Sequence, residues 1–235
     1  WTNCIIGGVC QNKDFVCGVN TGADIMVGSY VPPAHIDSMC ANEIVIDLES
    51  VGSPLPLWWN FQAGGCRAGS LTRSFDFTGG PFNCTDHWAG NVVINALSYT
   101  PGYSGPNTAR IVMVASLPSA NCTGPGGTGV DPLIEYYSFK LTLNRTKTVG
   151  TGACAGCLDP VCVVLNQITL VAPTRGTTAQ NTNLVSPDVQ NYVSWHGGFL
   201  STAGCHGGPI DPPGCPGDDT PVLNRTWGAL KSLYR

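Results

Sequence analysis

The sequence predicts an all-β protein, an antiparallel β-sandwich of jelly-roll or immunoglobulin-like type, stapled by disulfides and ending in one short helix. Three observations carry that expectation. Apolar residues recur at every second position in several stretches, the period of a strand with one buried face. No helical periodicity of ten or more residues occurs before the tail. Twelve cysteines, an even number, are scattered from Cys4 to Cys215. A chain of 235 residues can bury a sizeable core in one large β domain or two small ones, and length alone does not choose. The reading is a single disulfide-rich domain over 1–235, with 173–235 as a looser Gly/Pro-rich extension.

At the N-terminus, Cys4-Ile5-Ile6 and Phe15-Val16-Cys17 flank the polar Gln11-Asn12-Lys13-Asp14 turn, which suits a hairpin tied by Cys4–Cys17 and leaves Cys10 for Cys40. Ala23 to Val31 reads as a strand stopped by Pro32-Pro33. In Glu43 to Leu48, Ile44, Ile46 and Leu48 alternate with Glu43, Val45 and Asp47, which predicts a half-buried strand. Pro54 to Phe61 carries Trp58 and Trp59, a pair that either packs in a core or offers an aromatic face to a sugar. Cys66 and Cys84 bracket the strand-like Leu71 to Phe77 at a spacing that suits a bridge. Asn91 to Tyr99 and Thr108 to Leu117 are further strands, the second apolar on both faces and therefore central.

The stretch from Glu135 to Ala172 looks like the organising element. Tyr137, Phe139, Leu141 and Leu143 alternate with Ser138, Lys140, Thr142 and Asn144, and Val161 to Val171 is rich in β-branched residues. The turn-rich connection between them holds Cys154 and Cys157, with Cys162 just beyond, so the expectation is a covalently pinned central hairpin. Tyr192 to Trp195 is a short strand. In the tail, Trp227, Leu230, Leu233 and Tyr234 fall at helical spacing behind Thr226 as N-cap.

Charge excludes several functions. Lys plus Arg number 11 and Asp plus Glu 15, a charged fraction of 11% against roughly 25% in ordinary globular proteins. No basic stripe exists for nucleic acid, and no apolar run reaches the 18 or more residues of a membrane span. The absence of an initiator Met and the even cysteine count are expected of a processed, exported chain that is secreted, extracellular or held at a cell surface. All of Cys4, Cys10, Cys17, Cys40, Cys66, Cys84, Cys122, Cys154, Cys157, Cys162, Cys205 and Cys215 are expected to pair, with no metal at Cys154, Cys157 and Cys162 and no cofactor elsewhere. Four Asn-x-Thr sequons, at Asn83, Asn121, Asn144 and Asn224, are candidate glycan attachment points.

Catalytic signatures are missing. The chain has no His-Glu-x-x-His, no Gly-x-Ser-x-Gly and no phosphate-cradling glycine loop, and its four histidines are His35, His87, His196 and His206. A glycosidase needs two facing carboxylates, and nothing selects two from Asp76, Asp86, Asp131, Glu135 and Asp159. The expectation is a protein that is not an enzyme.

Asn42 to Leu48, Gly105 to Arg110, the Cys154-Ala155-Gly156-Cys157 turn and the ending Thr226 to Arg235 together resemble a poorly characterised group of secreted bacterial proteins. That resemblance implies an exported, disulfide-bonded β protein with extracellular fibril or surface-layer duty, and it supplies no site residues. The functional expectation is therefore a structural subunit of an extracellular filament. It would polymerise with itself head to tail through a terminal segment, Trp1, Thr2 and Asn3 as an added strand or the Trp227, Leu230, Leu233 and Tyr234 face as a docked helix. A carbohydrate-binding or adhesive module using Trp58 and Trp59 is the alternative, and an exported hydrolase the third reading.

Overall fold

A computed structural model of the protein describes residues 11–50, 52–80, 82–122, 129–172, 181–184 and 192–196. The strands are β1 (Gln11–Lys13), β2 (Ala23–Tyr30), β3 (Ala41–Ser50), β4 (Leu71–Ser74), β5 (Ile94–Pro101), β6 (Thr108–Ser116), β7 (Tyr136–Asn144), β8 (Val161–Val171), β9 (Thr182–Leu184) and β10 (Tyr192–Trp195). Two short 3-10 turns, Leu57–Trp59 and Ser119–Asn121, are the helical pieces among the described residues. The predicted C-terminal helix and the terminal contact residues lie outside them.

The strands form two sheets. The larger has the order β1-β10-β8-β3-β6-β5, with β9 also on β8, and the smaller has the order β2-β7-β4. All pairings are antiparallel except β1 with β10. The inner faces of the two sheets pack into one core that includes Ile44, Ile46, Ile111 and Met113 from the large sheet and Met26, Phe139 and Leu141 from the small one. The described part of the 173–235 segment, β9 and β10, lies along β8, and β10 coincides with the strand predicted at Tyr192 to Trp195.

Two expectations are corrected by this topology. β7 and β8 do not form a hairpin, because β7 lies in the small sheet and β8 in the large one. The Gly- and Cys-rich connection is a crossover between layers. The strict alternation read in β7 also fails at its start. Pairing shifts between Gly28 and Ser29 so that Gly28 faces Phe139 and Ser29 faces Tyr137, leaving Ser138 as a bulge. Ser138 thereby turns to the facing sheet, where Asn42 Nδ2 donates to its Oγ at 3.0 Å, while Tyr137 stacks on Phe77 with ring centroids 4.3 Å apart.

The disulfides correct all three expected local pairings. Cys17 bonds to Cys157 rather than Cys4, Cys40 to Cys122 rather than Cys10, and Cys66 to Cys154 rather than Cys84. Cys84 and Cys162 are disulfide-bonded as well, and no described cysteine is free. The physical reason is that these bridges fasten elements far apart in sequence, at separations of 140, 82 and 88 residues. Cysteines that look like partners across a short turn are instead held by the layers they belong to.

Candidate functional site

The aromatic segment 54–61 becomes a corner of the core. Trp58 and Trp59 are 0% and 1% exposed and meet edge to face at 5.1 Å, and Trp195 of β10 packs on both. The sugar-stacking reading of Trp58 and Trp59 is thus corrected, since neither ring is open to a ligand. Arg67 is buried with them, its guanidinium 3.5 Å above the Trp58 ring centroid. It donates to the carbonyls of Trp58, Thr146 and Asn144. Burial pulls its guanidinium down to about 10, against the opposing pull of Asp24.

A second polar cluster sits on the opposite face of the large sheet. Asp47 of β3 lies across from Arg110 of β6, and Arg110 Nε and Nη2 donate to the two Asp47 oxygens at 2.7 Å each. Asn166, the bulged residue of β8 beside this row, donates to Asp47 Oδ2 at 2.6 Å. The Tyr103 ring lies under the Arg110 guanidinium at 4.1 Å. Burial would lower Arg110, but the Asp47 carboxylate outweighs it and holds Arg110 above its ordinary value. Burial, then the Asp47 charge, pushes the Tyr103 hydroxyl up to about 12. Two positions along, Asn107 Nδ2 donates to Glu49 at 3.3 Å, and Glu49 is raised by burial first and then by Asp47.

Sequence reasoning missed this cluster, placing Asp47 and Glu43 on a wet face. Both are buried, 2% and 6% exposed, so at these positions the outer face of β3 is withheld from water as well. The signal is present in part: Asn42 to Leu48 lies in β3, and Thr108 to Arg110, the end of the Gly105 to Arg110 segment, opens the strand β6 that pairs with it. Chemically the cluster is a saturated ion pair. Asp47 accepts at both oxygens, from Arg110 and Asn166, and is held by its neighbours within the sheet.

The remaining titratable candidates are dispersed. Asp76 and Asp86 accept from the backbone N–H of Thr78 and Trp88, Glu135 accepts from Ser29 Oγ, and Asp131 pairs with His35 at 2.7 Å. Each carboxylate is thus committed to a separate local partner. His87 is buried and donates from Nε2 to the Met39 carbonyl at 3.0 Å; burial lowers its pKa. Of the sequons, Asn83 and Asn144 are exposed, Asn121 is half-buried, and Asn224 lies outside the described residues.

The exposed edge of the large sheet is β5. It pairs with β6 on one side and, among the described residues, has no strand on the other. Gly102 N–H donates to Thr108 across this pair, which puts the even-numbered residues' backbone groups toward β6 and those of Asn95, Leu97 and Tyr99 outward. One of them, the Asn95 carbonyl, accepts from Arg73 of β4. Val93 and Ile94 at the start of the strand are 62% and 56% exposed. From Gly90 to Ala109 there is no Asp, Glu, Lys or Arg.

Near the opposite edge, Cys17 Sγ, Cys157 Sγ and a ring nitrogen of His196 lie within 4.8 Å of one another. Among the described residues, no helix is long and apolar enough to cross a membrane. Comparison of the chain with protein-family models, curated proteins and solved structures gives no match.

Proposed function

We propose that the protein is a structural subunit of an extracellular filament or surface assembly, and that the acceptor for the next copy is the β5 edge. The observation that carries this reading is the character of that edge. Natural sheets blunt their edges with charge, proline, bulges or a covering element. β5 presents an eight-residue strand with no charged residue; its one proline, Pro101, stands at the far end, and Arg73 caps the Asn95 carbonyl. An added strand from a terminal segment of a second copy would satisfy the outward groups of Leu97 and Tyr99 and cover Val93 and Ile94. Such a contact joins two different surfaces and so propagates unless its rotation closes. Disulfides persist in oxidising environments, and the bridges here support an extracellular setting. The carbohydrate-binding alternative loses its platform with the burial of Trp58 and Trp59.

The test is sedimentation and negative-stain imaging of the full chain beside Ala96→Lys, which puts a charge on the exposed edge strand. Deletions of Trp1 to Asn3 and of Trp227 to Arg235 are examined in parallel. Polymers are expected from the full chain and monomers from Ala96→Lys and from one of the deletions. A full chain that stays monomeric at high concentration, or polymers indifferent to all three changes, would sink the reading.

A further inference from the structure

Where β10 ends, the chain enters the left-handed region at His196, φ +48°. A non-glycine residue seldom takes that conformation, and here it stands beside a disulfide. The position is fixed from several sides. His196 N–H donates to the Lys13 carbonyl at 3.0 Å. Its neighbour Trp195 stacks on Phe15 at 3.6 Å and donates from Nε1 to the Cys157 carbonyl at 2.7 Å. The imidazole is thereby carried onto the Cys17–Cys157 bridge, with Nε2 3.3 Å from Cys17 Sγ, while Nδ1 faces the Asp14 carboxylate at 3.6 Å. A disulfide sulfur has no proton, so Nε2–H is the donor in the first contact.

We propose that Cys17–Cys157 is the bridge of this protein that opens to a dithiol, and that once open it forms with His196 a Cys2His site for zinc. The donor types and their spacing fit. Bonds of about 2.3 Å to sulfur and 2.0–2.1 Å to nitrogen at tetrahedral angles put the two sulfurs about 3.8 Å apart and each sulfur about 3.6 Å from the nitrogen. The His196 nitrogen stands at 3.3 Å from Cys17 Sγ, close to the spacing zinc needs, and the two sulfurs must separate. Asp14 faces the ring nitrogen left over, the place where a carboxylate fixes the tautomer and orientation of a ligating imidazole. Water completes the fourth position.

The step balances. A dithiol gives two electrons and two protons to the bridge and becomes a cyclic disulfide, leaving two thiols; zinc then displaces both thiol protons. The His196 N–H beside Cys17 stabilises the thiolate that leaves during exchange, which is why this bridge yields before the others. The bridges Cys40–Cys122 and Cys66–Cys154 are separate disulfides, and the three-donor cluster found among the described residues is this one. The proposal is independent of the assembly reading.

The experiment uses the full chain with limiting dithiol under anaerobic conditions. Alkylation and mass spectrometry identify the opened bridge, near-ultraviolet circular dichroism reports the fold, and Co(II) serves as the optical probe for zinc. The expected result is alkylation at Cys17 and Cys157, retained tertiary signal, and one Co(II) per chain with thiolate-to-cobalt charge transfer and a tetrahedral visible band. His196→Gln should weaken Co(II) at least ten-fold, and Cys17→Ser should remove half or more of the charge-transfer intensity. Opening of another bridge first, loss of the tertiary signal, absence of charge transfer, or a Co(II) affinity unchanged in His196→Gln would each overturn the proposal.

Discussion

The Phe139 ring lies directly across the backbone of Gly28: a Cβ built at Gly28 would stand 2.1 Å from Phe139 Cε1 and 2.5 Å from Cζ. The two residues are paired across β2 and β7, at the edge of the bulge that releases Ser138. A fully buried ring fills the space a side chain would occupy, so the glycine is a packing requirement of the small sheet.

Gly28→Ala should therefore destabilise the protein by about 1–3 kcal/mol, the range for overpacking a well-filled core. Urea unfolding should show a lower midpoint at an unchanged slope. A neutral or stabilising alanine would mean that Phe139 can move aside.

Asp47 and Arg110 give the second prediction. Asp47 is 2% exposed and accepts both guanidinium nitrogens, so Asp47→Ala leaves a largely buried cation without its partner and should cost about 3–5 kcal/mol. Asp47→Leu with Arg110→Leu removes both charges together, and its cost should fall well short of the sum of the two single changes. Additive losses in a double-mutant cycle would show that the pair does not act as a unit.

How much of this was legible in the sequence depends on the range of the interaction. β3, β6, β7, β8 and β10 could be read because alternation and β-branched runs are set by each strand's own burial. The partner layer of β7 could not, since chain adjacency suggests a hairpin and only the packed core shows that β7 and β8 face each other across it. The disulfides failed for the same reason: Cys66 lies 88 residues from Cys154 and 18 from Cys84, and spacing favours the wrong one. Asp47 looked like a solvent-facing position because period two separates the faces of a strand but says nothing about whether the second face is also buried. Trp58 and Trp59 carry equal composition as platform or core, and only their burial decides.

His87 gives a pH prediction. Burial holds its pKa below the ordinary value of about 6.5, and its Nε2–H is committed to the Met39 carbonyl. A depressed histidine contributes stability that is present above the unfolded-state pKa and is lost as pH falls through the folded-state value. Wild-type stability should decline on acidification below about pH 6.5, and His87→Gln should flatten that decline while retaining a donor for Met39. Parallel profiles in denaturant titrations from pH 7 to pH 5 would rule out His87 as the source.

Glu43 gives the opposite sign. Burial raises its pKa, so its contribution is fully present below the ordinary glutamate value and is lost as pH rises through the folded-state value. Glu43→Gln should be more stable than wild type at neutral pH and indistinguishable from it near pH 4, below about 4.3, the unperturbed value. Equal stability at both pH values would show that Glu43 finds compensating solvation in the fold.

The last prediction concerns the crossover between β7 and β8, which carries two bridges in one turn. Cys154 ties it to Cys66 and Cys157 ties it to Cys17. In chain-entropy terms the loop closed by Cys17–Cys157 is 140 residues when it is the sole constraint, which corresponds to about 5 kcal/mol. With Cys66–Cys154 intact, the path from Cys17 runs to Cys66, through that bridge and on to Cys157, so the loop shrinks to about 50 residues and the contribution to about 4 kcal/mol. The same path describes the removal of Cys66–Cys154 while Cys17–Cys157 remains. Cys40–Cys122 stays in place in every variant and leaves a path of about 60 residues between the ends of either bridge, so replacing either pair by alanine should cost about 4 kcal/mol and replacing both about the sum of the two single losses. Thermal or denaturant unfolding of the three variants measures the sum, and a double variant no worse than the worse single one would show that the crossover is held by its packing on Trp58 and Trp195 rather than by its bridges.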